Sequence, residues 1–313
     1  MVLITGASGF VGGALAQYLS RFYSVRGLVR HAPPFVDPSI QHIAGFELSS
    51  NHNLVGVFSG VDSIVHCAAR VHIMSETAEN PLEEFRRVNV RGTINFATQA
   101  AQAGVKRFIY LSSVKVNGES TEMGRPFRPE DKPSPADAYG ISKFEAESAL
   151  QVLAIKTGME VVIIRPPLIY GHGVKANFAA LISLVRLGIP LPFGLANTNS
   201  RSFVAIDNLL SFIKECISNP KAANQVFLIS DGQDLSTASL LSEIAIASNK
   251  KILQLPIPIP ILQWILRVLG KTGISERLFG NLQVDISKCN SLLGWTPPMK
   301  VRQALRQVIS GGK

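Results

Sequence analysis

The chain has 313 residues, 46% of them hydrophobic and 17% charged, with a formal net charge of +9, the composition of a globular α/β protein able to bury a sizeable core. Its three cysteines, Cys67, Cys216 and Cys289, stand far apart with no CxxC pair and no His/Cys cluster, which argues against a disulfide framework or a zinc site. The basic residues are spread along the chain rather than interleaved with aromatics, so small phosphorylated ligands are favoured over nucleic acid.

An apolar β-branched run, Val2 to Thr5, opens the chain and leaves no room for a basic leader segment and cleavage site, so a cytoplasmic protein is expected. A helical pattern from Phe10 to Arg21 and a short strand from Val25 to Val29 complete a βαβ unit. Further strand-like runs lie at Ile40 to Ala44, Ser63 to Cys67, Phe108 to Leu111 and Val161 to Arg165. Between them stand helical stretches, notably Leu82 to Ala103 and Asp137 to Thr157. Such alternation predicts an α/β fold with a doubly wound parallel sheet.

Past Arg165 the pattern shortens, punctuated by Pro166, Pro167, Pro190 and Pro192. Residues 1–165, with a returning segment at about 203–230, are expected to form a dinucleotide-binding domain. Residues 166–202 and 231–313 are expected to form a smaller C-terminal substrate-binding domain. The strand Val226 to Ile229 should rejoin the main sheet. The most apolar stretch, Ile252 to Leu269, is broken by Pro256, Pro258 and Pro260 and carries Gln263 and Arg267, which argues against a membrane span. A short amphipathic helix after a proline-rich turn is expected there, ahead of a membrane-surface anchor.

Between the first strand and first helix lies Gly6-Ala7-Ser8-Gly9-Phe10-Val11-Gly12. There a glycine-rich loop lets backbone N–H groups meet a pyrophosphate at a helix N-terminus. Gly6 is assigned the tight turn, Gly9 the close approach of the ligand and Gly12 the close helix packing. An acid about 20 residues on would read the ribose of NAD, but the first acidic residue is Asp37. The second strand ends instead at Arg30, with Arg26 nearby, which places a guanidinium where a 2′-phosphate would sit. NADP(H) is therefore the preferred cofactor, with NAD(H) as the alternative.

Tyr139 and Lys143 stand one helical turn apart on one face. An ammonium beside a phenol, near a nicotinamide cation, favours the phenolate, and Tyr139 can then act as acid/base on a carbinol or carbonyl. Ser113 follows a strand that ends at the edge where doubly wound folds bind ligands, within expected reach of the same substrate oxygen.

The ordered set TGASGFVGG, HCAAR, NVRGT, LSSVKVNG, YGISK, RSFVAIDNL and LGWTPP resembles the extended short-chain dehydrogenase/reductase family. That family includes UDP-sugar 4-epimerases, 4-ketoreductases and 4,6-dehydratases. The resemblance implies a catalytic set of Ser113, Tyr139 and Lys143, a cofactor wall at Ala68 and Ala69, and a supporting Asn89. It implies further that Arg201 and Asn177 hold the nucleotide diphosphate and that Phe193 stands by the uracil. Arg277 is a further candidate for the diphosphate. Asn89 and Asp207 are equally well read as helix braces, Asp285 and Trp295 as structural, and His66 and His72 as packing or loop residues.

Two departures narrow the reaction. Dehydratases resembling this family carry an Asp-Glu pair directly after the catalytic hydroxyl residue, whereas Val114 and Lys115 stand here, and valine exchanges no proton. Leu168 stands where the epimerases commonly show an asparagine. Lys115 is expected at the sugar or diphosphate, with a surface role nearly as well supported. The resemblance thus implies a UDP-sugar enzyme of surface polysaccharide synthesis. Reduction of a UDP-4-keto-6-deoxy-N-acetylhexosamine is preferred over 4-epimerisation, and a nicotinamide-sensing regulator without turnover is a third reading. It also implies a homodimer through the two long helices.

Overall fold

A computed structural model describes residues 1–31, 37–49, 53–71, 80–174 and 177–310. Its centre is a parallel sheet of strands β1 (Val2–Thr5), β2 (Val25–Leu28), β3 (Ile40–Ile43), β4 (Ser63–His66), β5 (Arg107–Leu111), β6 (Glu160–Arg165) and β9 (Val226–Leu228). These run in the order β3-β2-β1-β4-β5-β6-β9. The strand order reverses between β1 and β4, whose registers pair Val2 with Ser63 and Thr5 with His66; ligands bind at such a switch point, beyond the carboxyl ends of the strands. Strand β9 rejoins the main sheet, as the sequence predicts, and pairs there in parallel with β6. A second, two-stranded piece joins β7 (Leu168–Tyr170) to β8 (Phe203–Ala205).

Alternate residues of each central strand bury on opposite faces. Val2 and Ile4 join a cluster with Leu15 and Leu19 of α1 (Phe10–Leu19) and Leu209 and Ile213 of α6 (Ile206–Ser218). Leu3 and Ile64 face the other way, against Phe96 of α3 (Thr93–Gln102) and Leu150 of α4 (Ala138–Thr157). The stretch read as one helix from Leu82 to Ala103 is α2 (Pro81–Phe85), then a π-helical segment Arg86–Gly92, then α3. A 3.6-residue periodicity does not reveal such a bulge, because the apolar face resumes on the far side of it.

The later helices are α5 (Asn177–Arg186), α7 (Thr237–Ala247), α8 (Ile259–Val268), α9 (Thr272–Phe279), α10 (Ser287–Leu293) and α11 (Val301–Ser310). A third apolar cluster gathers Phe178, Val185, Leu241, Ile244 and Leu305 from α5, α7 and α11. Asp231 ties this part to the sheet, accepting from the Tyr170 hydroxyl at 2.6 Å, the Ala205 N–H at 2.8 Å and Asn208 Nδ2 at 2.7 Å. The helix expected within Ile252 to Leu269 forms as α8, but none of its residues is buried.

Candidate active site

The glycine loop has the shape a dinucleotide needs. Gly6 adopts φ +68°, a left-handed conformation open to glycine, and a Cβ there would stand 2.9 Å from the Ala68 nitrogen. The loop after β1 therefore lies against the loop after β4, at the switch point. A Cβ on Gly12 would come within 2.2 Å of the Gly6 carbonyl oxygen, so glycine lets α1 press onto the turn. Gly9 caps α1 without any side-chain hydrogen bond to the first turn. Ser8 and Gly9 are exposed, Phe10 and Val11 half-buried, and the uncapped N–H groups carry the positive end of the helix dipole. This cradle fits a pyrophosphate.

The Ala7 N–H bonds to the Leu28 carbonyl at 3.2 Å, which holds the end of β2 beside the loop. Arg30 follows there, exposed, its carbonyl fixed by the Gly45 N–H at 3.2 Å. Arg26 is a correction. It is buried, donating to Gln41 Oε1 at 2.8 Å and to the Val57 and Ser59 carbonyls at 2.5 and 3.1 Å. Three of its five N–H donors are thus spent on acceptors inside the fold.

At the ends of β5 and β6 the chain builds the candidate catalytic corner. Ser113 caps a short 3₁₀ turn, its hydroxyl accepting from the Lys115 N–H at 3.3 Å. Tyr139 and Lys143 lie in the first turns of α4. The buried Lys143 ammonium donates to the Leu111 carbonyl at 2.9 Å and sits 4.6 Å from the Tyr110 ring centroid and 5.8 Å from that of Tyr139. Burial lowers its pKa to about 8, against a small upward pull from Cys67 and Glu147. The Tyr139 phenol is pushed up, first by burial and then by the charge of Asp137. The phenolate expected from the sequence is thus disfavoured in the protein alone, because desolvation outweighs a cation that makes no hydrogen bond to the phenol.

Three braces hold this corner. Asn89, on the π-helical segment, accepts from the Arg70 N–H at 2.8 Å and donates to the Arg70 carbonyl and the Ser142 hydroxyl, both at 3.0 Å. It thereby joins the loop beyond Ala68 and Ala69 to the turn between Tyr139 and Lys143. Asp137 caps α4, accepting from the Gly140 N–H at 2.7 Å. Lys115, for which the sequence offered either a sugar or diphosphate contact or a surface role, donates to Asp137 Oδ2 at 2.5 Å and Glu119 Oε1 at 2.9 Å. Burial opposes that charge, yet the two carboxylates hold the Lys115 pKa above its ordinary value. The third brace was not legible in the sequence. Arg165 pairs with Glu147 at 2.6 Å, both almost fully buried; Glu147 also accepts from Ser112, and Arg165 donates to Asn117 Oδ1 at 3.0 Å.

A second group of cations lies by α9. Arg201 is fixed by backbone bonds with Leu235 on both sides, at 3.0 and 2.9 Å. Its guanidinium donates to the Gly280 carbonyl at 3.2 Å and the Glu276 carbonyl at 3.4 Å. Burial, then the like charge of Arg277, lowers its pKa, and Glu119 pulls the other way. Arg201, exposed Arg277 and Glu119, which also accepts from Lys115, therefore share one electrostatic neighbourhood, and a pair of guanidiniums suits a diphosphate. Phe193 lies 6.3 Å from Phe279, the last residue of α9, so it adjoins the helix that carries Arg277. Asn177 opens α5, but its side chain lies outside what the structure describes.

His66 is fully buried, hydrogen-bonded to Thr5 Oγ1 at 3.0 Å and Thr93 Oγ1 at 3.1 Å, a packing role. His72 lies outside the described residues. Asp285 accepts from the Ser287 N–H at 2.8 Å, and Trp295 donates to Ser211 at 3.2 Å while packing on Phe212. Both serve structure.

A family model described as the NAD dependent epimerase/dehydratase family matches residues 2–230. A Vibrio cholerae protein named UDP-glucose 4-epimerase is 48% identical over 308 residues, covering 98% of this chain and 93% of that one. An Escherichia coli O157:H7 protein named N-acetyl-alpha-D-glucosaminyl-diphospho-ditrans,octacis-undecaprenol 4-epimerase is 31% identical over 322 residues, covering 98% and 94%. Among solved structures, UDP-glucuronic acid 4-epimerase from Bacillus cereus in complex with NAD matches with a TM-score of 0.78 at 20% identity. It covers 99% of this chain and 97% of that one, a likeness of fold.

Proposed function

The chain belongs to the NAD dependent epimerase/dehydratase family, and from that premise we propose that it is an enzyme transferring hydride at C4 of a UDP-sugar. The reaction favoured is reduction of a UDP-4-keto-6-deoxy-N-acetylhexosamine for surface polysaccharide synthesis. Arg30 carries this reading. It stands exposed at the end of β2 beside the glycine loop, where an acid would hold the 2′-hydroxyl of NAD. A 2′-phosphate would gain a charge-assisted partner there, worth roughly 1.5 to 3 kcal/mol. NADPH is the usual donor for a reduction, and a reductase must exchange its cofactor at every turnover.

The bound nicotinamide supplies the hydride. The Gly6 to Gly12 loop and the start of α1 would hold its pyrophosphate, with Ala68 and Ala69 beside it. Tyr139 gives its phenolic proton to the C4 oxygen as that oxygen gains charge, and Ser113 orients the same oxygen. A phenol kept protonated by burial and Asp137 is in the form a proton donor needs. Lys143, beside both tyrosine rings, stabilises the phenolate left behind, which takes a proton back from solvent. Arg201 and Arg277 grip the diphosphate, with Asn177 as a further contact and Phe193 beside the base. Val114 offers no proton for dehydration.

A second reading, 4-epimerisation of UDP-glucose or UDP-N-acetylglucosamine, is favoured by the names of the V. cholerae and E. coli relatives. The protein retains Ser113, Tyr139 and Lys143 together, which speaks against a cofactor sensor without turnover. Exposed Val152 and Ile155 on α4 support a homodimer through the long helices, and three free cysteines suit a reducing cytoplasm. The test offers the 4-keto sugar with NADPH or NADH, and separately UDP-glucose and UDP-N-acetylglucosamine with catalytic NAD. Loss of one NADPH per sugar reduced is expected. Inversion at C4 without net cofactor change would establish the epimerase instead.

A further inference from the structure

Helix α8 turns its apolar stripe outward. Ile261, Trp264, Ile265, Val268 and Leu269 recur at i, i+3, i+4, i+7 and i+8, the spacing that gathers side chains on one helical face. All five are exposed, Trp264 at 63% and Val268 at 66%. Leu253 and Leu255, on the segment leading into the helix, are exposed as well and widen the patch. A surface helix ordinarily buries such a stripe against its own core, and a contiguous exposed apolar patch marks a surface that something else covers.

The charges around the patch identify the cover. Lys250, Lys251, Arg267 and Lys271 are all exposed, and no Asp or Glu occurs between Glu243 and Glu276. A two-fold contact between copies sets a patch against itself, which here brings a basic rim against the same basic rim on a chain of net charge +9. An anionic bilayer presents the opposite sign, and its headgroup level accommodates an indole ring, apolar in body and polar at the N–H.

We propose that α8 docks the protein on an anionic membrane surface, its apolar stripe at the acyl boundary and its four flanking cations among the lipid headgroups. The helix lies on the bilayer: it has ten residues, and among the described residues no helix is long and apolar enough to cross a membrane. Helix α9 packs against α8 and carries Arg277, so the docked face adjoins the arginines assigned to the diphosphate. The docking itself does not depend on that assignment.

The chain has two tryptophans, and Trp295 is buried, so an emission change on docking reports Trp264. The full-length protein is sedimented with phosphatidylcholine vesicles and with vesicles that also contain phosphatidylglycerol. It is expected to pellet with the anionic vesicles alone, with a blue-shifted emission, and to be released by high salt. Trp264→Glu and the pair Lys250→Glu with Lys251→Glu should each lower the bound fraction at least about tenfold. NADPH binding, measured in parallel, should be unchanged and shows that each variant is folded. Three results overturn the proposal: no pelleting with either vesicle; equal pelleting with both that the charge reversal leaves intact; or a dimer that Trp264→Glu splits with no vesicle affinity.

Discussion

A buried imidazole gives this protein a specific acid sensitivity. His66 is fully buried, and burial, aided by the charge of Lys143, lowers its pKa from 6.5 to about 3. As pH falls below 6.5, the unfolded chain takes up a proton that the folded chain refuses until about 3. The stability contributed by neutral His66 is therefore complete at neutral pH and is lost through that window, on the order of a few kcal/mol at its end. His66→Gln should flatten the fall of Tm between about pH 6.5 and about pH 4, even if its Tm at neutral pH is lower. An acid limb as steep as in the original protein would show that other groups carry it. The packing role of His66 was legible in the sequence from its place at a strand end. The fate of Arg26 was not, because its acceptors come from β3 and the Val57 to Ser59 turn, which no local pattern announces.

At the scale of elements, helix starts place the chemistry. Asp137 was read as the first residue of its helix, and the structure makes it the cap of α4, so the boundary agrees with the pattern. What periodicity missed is the use of the π-helical segment, which turns Asn89 toward both the Arg70 backbone and Ser142. The Lys115 bridge was missed for a related reason. Its two carboxylates are 4 and 22 residues away, and only folding brings Asp137 to it. Helix α9 carries Arg277, and the Glu276 and Gly280 carbonyls at its end hold Arg201, the two arginines proposed for the diphosphate. Arg201→Ala should weaken UDP binding, by roughly 1.5 to 3 kcal/mol for one charge-assisted contact, while NADPH binding is unchanged. Calorimetry with UDP checks this, and an unaltered UDP affinity would make Arg201 a purely structural link between β8 and α9.

For the molecule as a whole, the doubly wound parallel sheet followed from alternating apolar runs, whereas its strand order and the switch point between β1 and β4 come from the fold. The third apolar cluster was harder to see, because α5, α7 and α11 are far apart in sequence and each is short. The protein sets a pyrophosphate cradle and a phenol held protonated at the carboxyl edge of its sheet and a pair of arginines by α9, and the proposed hydride transfer at a sugar C4 unites them. A single turnover with NADPH carrying deuterium at the transferred position tests it most directly. The 4-keto sugar is expected to gain that deuterium at C4, and Tyr139→Phe to bind NADPH normally but to transfer the deuterium at least about a hundredfold more slowly. No deuterium at C4, or Tyr139→Phe transferring at the normal rate, would contradict it.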